Sequence, residues 1–548
     1  MEFKKNQIVE LYIDDIGNEG EGIGHIDGYA LFLKDAVIGD KVRAKIIKTK
    51  KNYGFARVEE VIEASKDRVS PRCSKARQCG GCTLQHLAYE KQLEYKFNKV
   101  KNCLERIGGL ENIEEKMEPI LGMEEPFYYR NKAQFPVGYD KEGNLITGFY
   151  AGRTHHIIDC THCMIQHPVN EQILLKVLDY MKKNNITAYD EKTHKGLVRH
   201  IVTRVGFKTG EIMVCLVVNG SKKNLRNLEM LVDSLTEVEG MTSICVNINK
   251  EKTNRILGSK IEEVYGKPYI YDYIGNVKYQ IGPLSFFQVN PTQTKVLYEK
   301  AMEYADLKGE ETVWDLYCGI GTISLFLAQK AKKVYGVEIV KEAIDDARLN
   351  AKMNGFDNAE FFVGKAEEVL PREYEKNGVY ADTIVVDPPR KGCDSKLLET
   401  MVKMAPKRIV YVSCDPATLA RDLKVLSEQG YEVEKVCAVD QFSHSSHVET
   451  VCLLSREKVD GYVNVDLDAN KIVSKSKTGT ATYKEIKEYI NDKYGFTVSS
   501  LNIAQIKDKC GLDKRKNYNK GAEGHKVPAC PEKKEKAILD AFEHFGLV

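Results

Sequence analysis

Three features are missing from this chain of 548 residues. No run approaches the roughly 18 apolar residues of a membrane span. The opening MEFKKNQIVELYIDD has no apolar stretch of the kind a secretory leader needs. No Walker-type G-K-S or G-K-T loop occurs, and net charge is nearly absent as well, at +2. These absences set aside membrane, secreted and P-loop proteins, and they predict a cytoplasmic one. What is present is ordinary in bulk, with 43% hydrophobic and 29% charged residues. At roughly 100 to 200 residues per domain, the length predicts three to five units. Fifteen cysteines without a leader argue against a disulfide framework, so metal, catalysis or core packing must account for them.

The small net charge hides an uneven spread. From residue 471 onward 16 basic residues stand against 10 acidic ones, and KVRAKIIKTKKNYGFAR, residues 41–57, carries seven basic residues and no acid. Tyr and Phe interleaved with such charge favour nucleic acid over a merely solvated face.

Residues 1–62 alternate short β-like runs with Gly turns, as in EGIGHIDGYALFLKDAVIGDKV, and predict a small barrel. With its basic strand this segment resembles the TRAM domain, an OB-like RNA-binding module. Residues 63–285 form a second region. It opens on RCSKARQCGGCTLQH, continues with LAYEKQLEYKFNKVKNCLERIGG at helical spacing up to a Gly pair, and is strand-rich from about 117. From 286 to 457 apolar strands alternate with helical segments, which predicts a doubly wound parallel sheet. Residues 460–548 hold two amphipathic helices, a Lys-rich loop and a last helix, EKKEKAILDAFEHFG. A basic helical accessory to nucleic-acid binding is expected there, against a plain capping bundle.

Within the sheet region, DLYCGIG follows a strand and opens a helix, and the next strand, VYGVEIV, ends near Glu338. An acid at that distance suits ribose hydroxyls. The loop lacks the third Gly of dinucleotide sites, which suits S-adenosylmethionine, whose cation carries no phosphate. DTIVVDPPR ends a strand at Asp387, and its two prolines fix the loop that aims it. Enzymes methylating an exocyclic amine end a similar loop in an aromatic, whereas here Arg390 stands in that place.

The run IVYVSCDPATLARDL places Cys414 at a strand's carboxyl end, just before a helix. The bland reading is a small buried hydrophobe. Glu338, Asp387 and Cys414 all follow strand ends, so one edge of the sheet collects them. Strands VEKVCAVDQF and VETVCLLS are then joined by only SHSSH, too short for a parallel crossover. The last strand must therefore run antiparallel and begin at that same edge, which brings His447 and Glu449 beside Cys414. His444 and His447 are expected as hydrogen-bonding loop residues. A thiolate and a carboxylate beside a methyl donor suit methylation at carbon 5 of uracil. The thiolate adds to carbon 6, carbon 5 takes the methyl group, and a base removes the carbon 5 proton so that the thiol is eliminated.

FFQVNPTQTKVLY, DLYCGIGT, DPPRKG, SCDP and HVET, in that order, resemble the RNA uracil-5 methyltransferases over about residues 1–457. The resemblance implies Cys414 as nucleophile and Glu449 as base. It implies adenosylmethionine contacts from Gln288, Tyr317 and Glu338, with Asp387 where cofactor and uracil meet. It also implies a Rossmann-like class I fold, a seven-stranded mixed sheet with an N-terminal OB-like barrel and a central strand-rich domain with an iron–sulfur loop; the small helical C-terminal extension lies outside the resemblance.

Cys73, Cys79 and Cys82, spaced C-x5-C-x2-C in a Gly-rich loop, can converge on one metal centre, and IIDCTHCMIQH offers Cys160 or Cys163 as a fourth ligand. Spacing does not choose between them, and four thiolates suit an iron–sulfur cluster or structural zinc. The family's ribosomal-RNA branch has this arrangement, so the resemblance implies Cys163 and a [4Fe–4S] cluster, structural or helping to shape RNA binding because the chemistry has no redox step. Barrel and cluster together imply 23S ribosomal RNA as substrate, with the target uridine flipped from its stack. The expected enzyme is a monomer with no membrane partner. The rivals are the same chemistry on transfer RNA, a cytosine-5 methyltransferase, against which Asp387–Arg390 and Glu449 speak, and a non-catalytic iron–sulfur RNA-binding protein.

Overall fold

The computed structural model describes residues 3–152, 154–456, 481–510, 512, 530–545 and 547. The chain divides into two compact units, Met1–Glu457 and Lys458–Val548.

The first unit opens with a six-stranded sheet. Its strands lie in the order Ile8–Tyr12, Lys41–Thr49, Tyr53–Glu63, Tyr29–Lys34, Gly22–Ile26 and Asp15–Ile16. Side chains alternate across a strand, so Val42, Ala44 and Ile46 of the basic stretch face the core while Lys41, Arg43 and Lys45 face out. That stretch has no acid in its own sequence, yet acids from neighbouring strands meet it. Arg43 pairs with Glu10 and Glu60, and Lys41 with Glu63. Phe32, Tyr53 and Phe55 form an aromatic cluster with ring centres 5.7–5.8 Å apart.

A seven-stranded sheet follows, in the order Ile157–Asp159, Leu145–Tyr150, Lys132–Tyr139, Val198–Val205, Ile212–Val218, Met241–Ile248 and Lys260–Gly266. Helices Val169–Lys183 and Leu228–Thr236 share its apolar core.

The third sheet positions the site. Strands Ala359–Val363, Lys333–Glu338, Thr312–Leu316, Thr383–Val386 and Arg408–Ser413 run parallel. Glu449–Arg456 is inserted antiparallel between Arg408–Ser413 and Tyr431–Val439, as the short link requires. Strand Thr383–Val386 is buried throughout and apolar after Thr383, as expected of a strand in a sheet covered on both faces. Trp314 and Tyr411 fill one face, and Val313, Val385 and Phe326 the other.

Two parts of this fold differ from the expected seven strands and continuous domain. Met117–Leu121 adds an eighth strand, parallel to Tyr431–Val439, whose outer edge would otherwise be open. The hairpin Ile270–Ile274 and Val277–Ile281 packs with helix Pro291–Ala305 in the core of this sheet. Helix Tyr89–Arg106 lies against helix Pro416–Glu428 and buries Val100 and Leu104 in the other core. The seven-stranded region is therefore an insertion into the third sheet's domain.

The second unit holds helices Tyr483–Tyr494, Ser500–Lys509 and Glu532–His544 around Ile486, Ile490, Ile503, Ile506, Ile538 and Phe542. Thr482 with Glu485, and Ser499 with Asn502, close capping boxes at the first two. Lys493 and Lys509 pair with Asp540 and Glu535. The expected Lys-rich loop falls in residues 513–529, outside the described residues. Among the described residues no helix is long and apolar enough to cross a membrane.

Candidate active site

At the carboxyl edge of the third sheet lies a cavity of about 1880 Å³. Gln288, Tyr317, Glu338, Asp387, Cys414 and Glu449 all line it. Tyr317, Asp387 and Cys414 follow strands at that edge, Glu338 ends one and Glu449 begins one, while Gln288 arrives on the segment that leads into helix Pro291–Ala305, so residues up to 161 positions apart meet.

The loop after Thr312–Leu316 is held tightly. Tyr317, Gly319 and Gly321 take positive φ values of 70°, 55° and 81°. The Gly319 N–H donates to the Glu338 carboxylate at 3.3 Å, and the Val340 N–H donates to its other oxygen at 3.0 Å. Gly336 is required underneath, since a Cβ there would stand 2.5 Å from the Phe361 ring and 3.0 Å from the Cys318 sulfur. Ile339 follows Glu338 on the cavity wall with 59% of its surface exposed. An acid beside a glycine turn with an apolar neighbour fits an adenosine moiety. In FFQVN, Phe287 enters the core, Gln288 faces the cavity, and Asn290 caps helix Pro291–Ala305. Asn131 holds this segment by donating to the Gln288 and Val289 carbonyls at 3.0 and 2.8 Å. Phe286, 71% exposed, is left as an aromatic surface at the cavity wall.

Cys414 sits between strand and helix. Asp415 caps helix Pro416–Glu428 by accepting from the Ala417 and Thr418 N–H groups at 2.9 and 3.2 Å. Glu449 is buried, whereas Asp387 and Cys414 are half-buried. Burial raises the Asp387 carboxyl to about 7. Burial, with the neighbouring Asp387 charge, raises Glu449 to about 8 against the pull of Arg390. The Cys414 thiol is pushed up to about 11 by burial and by Glu449 and Asp387, again opposed by Arg390. Three acidic groups thus compete for charge around one cation, the arrangement that tunes acid–base chemistry. The Asp387–Arg390 loop is braced from below. Asp422 accepts from the Cys393 N–H at 2.8 Å and the Tyr411 hydroxyl at 2.6 Å, and Arg421 donates to the Lys391 carbonyl at 2.9 Å.

His447 lines the cavity, and its N–H donates to the Ser445 hydroxyl at 3.4 Å. His444 lies outside it. Its ring packs 4.3 Å from Phe127, its Nδ1 is 3.2 Å from Gln92 Nε2, and burial lowers its pKa to about 4. Phe286 and Ile339 were not singled out in the sequence. The only signal was adjacency to Gln288 and Glu338, since an exposed apolar residue reads like a core one until the fold is known.

A second cavity of about 350 Å³ is lined by Cys73, Cys79, Cys82, Cys160 and Cys163, with Lys75, Arg130 and Lys132. Burial pushes Cys82 and Cys160 up to about 12 and Cys163 up to about 11, and neighbouring thiols add to each. The Cys160 thiol donates to the His162 carbonyl at 3.2 Å, while N–H groups of Ile165 and Gln166 face the Cys163 sulfur and favour its thiolate. Among the described residues, no group of three or more His, Cys, Asp and Glu is arranged to hold a metal ion. The thiols are all free.

Residues 88–457 match the model of the tRNA (uracil-5-)-methyltransferase family, and residues 2–58 match the TRAM domain. An uncharacterized RNA methyltransferase of Clostridium tetani is 53% identical over 453 residues, which is 82% of this chain and 97% of that protein. Another from Halalkalibacterium halodurans is 52% identical, with the same shares. Among solved structures, the tRNA (uracil-54, C5)-methyltransferase of Pyrococcus abyssi, in complex with S-adenosyl-L-homocysteine, superposes with a TM-score of 0.66 at 29% identity. That match covers 81% of this chain and all of the other.

Proposed function

The chain belongs to the tRNA (uracil-5-)-methyltransferase family, as an adenosylmethionine-dependent RNA methyltransferase with an N-terminal TRAM domain, and from that premise we propose that it methylates carbon 5 of uridine in 23S ribosomal RNA. The observation that carries this reading is the gathering of Cys414, Asp387 and Glu449 in one cavity with Gln288, Tyr317 and Glu338.

In this reading Phe286 offers a stacking face to the flipped uracil, and Gln288, Tyr317, Glu338 and Ile339 hold the cofactor. The Cys414 thiolate adds to carbon 6, and the electron pair of the C5=C6 bond moves toward carbon 5 and oxygen 4. Asp387, near 7, is protonated often enough at neutral pH to donate a hydrogen bond to that oxygen. Adenosylmethionine, when bound, supplies the electrophilic methyl group. The Glu449 carboxylate then takes the proton from carbon 5. The C–H electron pair forms the C5=C6 double bond, the C6–S bond breaks, and its pair returns to Cys414. Arg390 lowers the pKa of both Cys414 and Glu449, which favours the charged forms this sequence needs.

We further propose a [4Fe–4S] cluster on Cys73, Cys79, Cys82 and Cys163, which line the thiol cavity together. Its donor set is all thiol, and Cys163 has N–H groups facing its sulfur whereas Cys160 keeps a hydrogen bond as a thiol. The barrel and this cavity are the features that favour ribosomal RNA. A second reading, uridine in transfer RNA, is favoured by the Pyrococcus abyssi likeness.

Nucleoside mass spectrometry on 23S ribosomal RNA and transfer RNA, each lacking uracil-5 methylation, separates these readings. The expected result is 5-methyluridine in 23S RNA with the wild-type protein and none with Cys414→Ala. Product in transfer RNA alone overturns the substrate, and product from Cys414→Ala overturns the nucleophile.

A further inference from the structure

The segment from Asp440 to Val448 has no regular structure, yet it carries Phe442 and His447 to the cavity and delivers Glu449 to the start of its strand. His444, within it, holds a φ of 62°, a left-handed value that a non-glycine residue keeps where its surroundings impose it. Phe127 and the Leu84 N–H supply part of those surroundings, and one helix supplies a further set. Tyr89, Gln92, Lys96 and Lys99 of Tyr89–Arg106 are spaced three, four and three residues apart and so form a single stripe.

Each member of that stripe grips the segment, two of them at Asp440. The Tyr89 hydroxyl donates to the Asp440 carboxylate at 2.7 Å. Gln92 Oε1 accepts from the His444 N–H at 3.0 Å. Lys96 forms an ion pair with Asp440 and also donates to the Phe442 carbonyl at 2.9 Å. Lys99 donates to the Ser446 carbonyl at 2.9 Å, one residue before His447.

Lys96 and Asp440 both have 0% side-chain exposure. A buried ion pair loses so much hydration that well-packed apolar residues of similar volume are commonly as stable or more so. Stability alone therefore gives little reason for a lysine in the middle of a helix's buried stripe. Geometry gives one, because an apolar side chain could fill that space but could not hold the Phe442 carbonyl and the Asp440 carboxylate at once.

We propose that Lys96 and Asp440 are positioning residues for the proton-abstraction step: they fix the main chain of residues 440–448 and thereby the approach of Glu449 to carbon 5 of the target uracil. This rests on the uracil-5 reading above. Neither residue lines the cavity, so their effect reaches the reaction only through the segment they hold.

The experiment uses the full chain with adenosylmethionine and in vitro transcribed 23S ribosomal RNA, and transfer RNA in parallel. Two variants are compared with wild type. Lys96→Met leaves Asp440 as an unpaired buried charge and is expected to melt at lower temperature. Lys96→Met with Asp440→Leu removes both charges and is expected to regain the wild-type Tm. In both, kcat should fall about tenfold or more while the KM for RNA and the affinity for adenosylmethionine stay within about twofold. A methylated, denaturant-stable protein–RNA complex should also accumulate, since thiol addition and methyl transfer proceed while elimination lags. A double variant with wild-type Tm and wild-type kcat overturns the proposal, as does a fall in kcat without that complex. If the wild-type protein forms no 5-methyluridine in either RNA, the reading beneath falls and the proposal falls with it.

Discussion

Replacing Glu449 by glutamine should make the protein more stable and nearly inactive, with both effects following from one buried carboxyl. Its ordinary value of 4.5 is raised to about 8, first by burial and then by Asp387. A group whose folded value is raised favours the protonated folded state, so its contribution to stability is fully present below 4.5 and is lost as pH climbs toward 8. Each pH unit in that window removes about 1.4 kcal/mol, so wild type at pH 7 has given up about 3 kcal/mol relative to acid conditions. Glutamine has the same shape and no proton to lose. The Tm of Glu449→Gln should therefore exceed that of wild type by a margin that is small at pH 4.5, grows through pH 7 and levels off above pH 8. Turnover should fall by roughly 10² to 10⁴, the contribution of a positioned base. Methyl transfer into a covalent protein–RNA complex should continue. Thermal melts across pH and gel analysis with methyl-labelled adenosylmethionine read the two effects separately. A Tm difference that does not change with pH would refute the electrostatic argument, and full turnover by Glu449→Gln would refute the assignment of the base.

Arg390→Met removes the cation that opposes both the Cys414 and Glu449 shifts, so the rising limb of the kcat/KM pH profile should move upward by about one pH unit. An unmoved profile would show that Arg390 does not act on these groups. Gly336→Ala places a Cβ against Phe361 and Cys318, which should cost about 1–3 kcal/mol of stability and weaken S-adenosylhomocysteine binding in calorimetry. The proposed cluster predicts brown, anaerobically purified protein absorbing near 400 nm, with both signs lost in Cys163→Ser and kept in Cys160→Ser, and a colourless wild type would overturn the cluster. The reverse pattern would exchange the fourth ligand.

The catalytic edge was legible because its logic is local. The sequence offers five residues between two strand runs and the structure nine, 440–448, either too few for a parallel crossover, so the return is antiparallel and carries Glu449 to the edge that holds Cys414. The glycine loop and Glu338 were legible for a similar reason, since each lies within a few residues of the strand that aims it. Met117–Leu121 was not, because nothing in five residues of mixed polarity reveals a pairing with Val436 and Val439 more than 300 positions later. Phe286 and Ile339 were hidden by the one-way nature of hydrophobicity, as apolar residues tell of burial only on average. Lys96 was hidden for the opposite reason. A lysine in an amphipathic helix reads as solvated, and only the arrival of Asp440 explains its complete burial. The basic stretch 41–57 looked more cationic than it is, because Glu10, Glu60 and Glu63 reach it from across the sheet.

The insertion of the seven-stranded region into the third sheet's domain also sets a schedule for synthesis. Helix Tyr89–Arg106 emerges from the ribosome long before the strands it packs on, and Asp440 follows Lys96 by 344 residues. At roughly 5–20 residues per second that interval lasts about 17–70 s. During it the barrel and the inserted sheet can fold as they appear, while the helix and Met117–Leu121 wait with apolar faces and a bare strand edge in solvent. The catalytic centre is thus completed last, when the chain's two distant portions close around a region already formed.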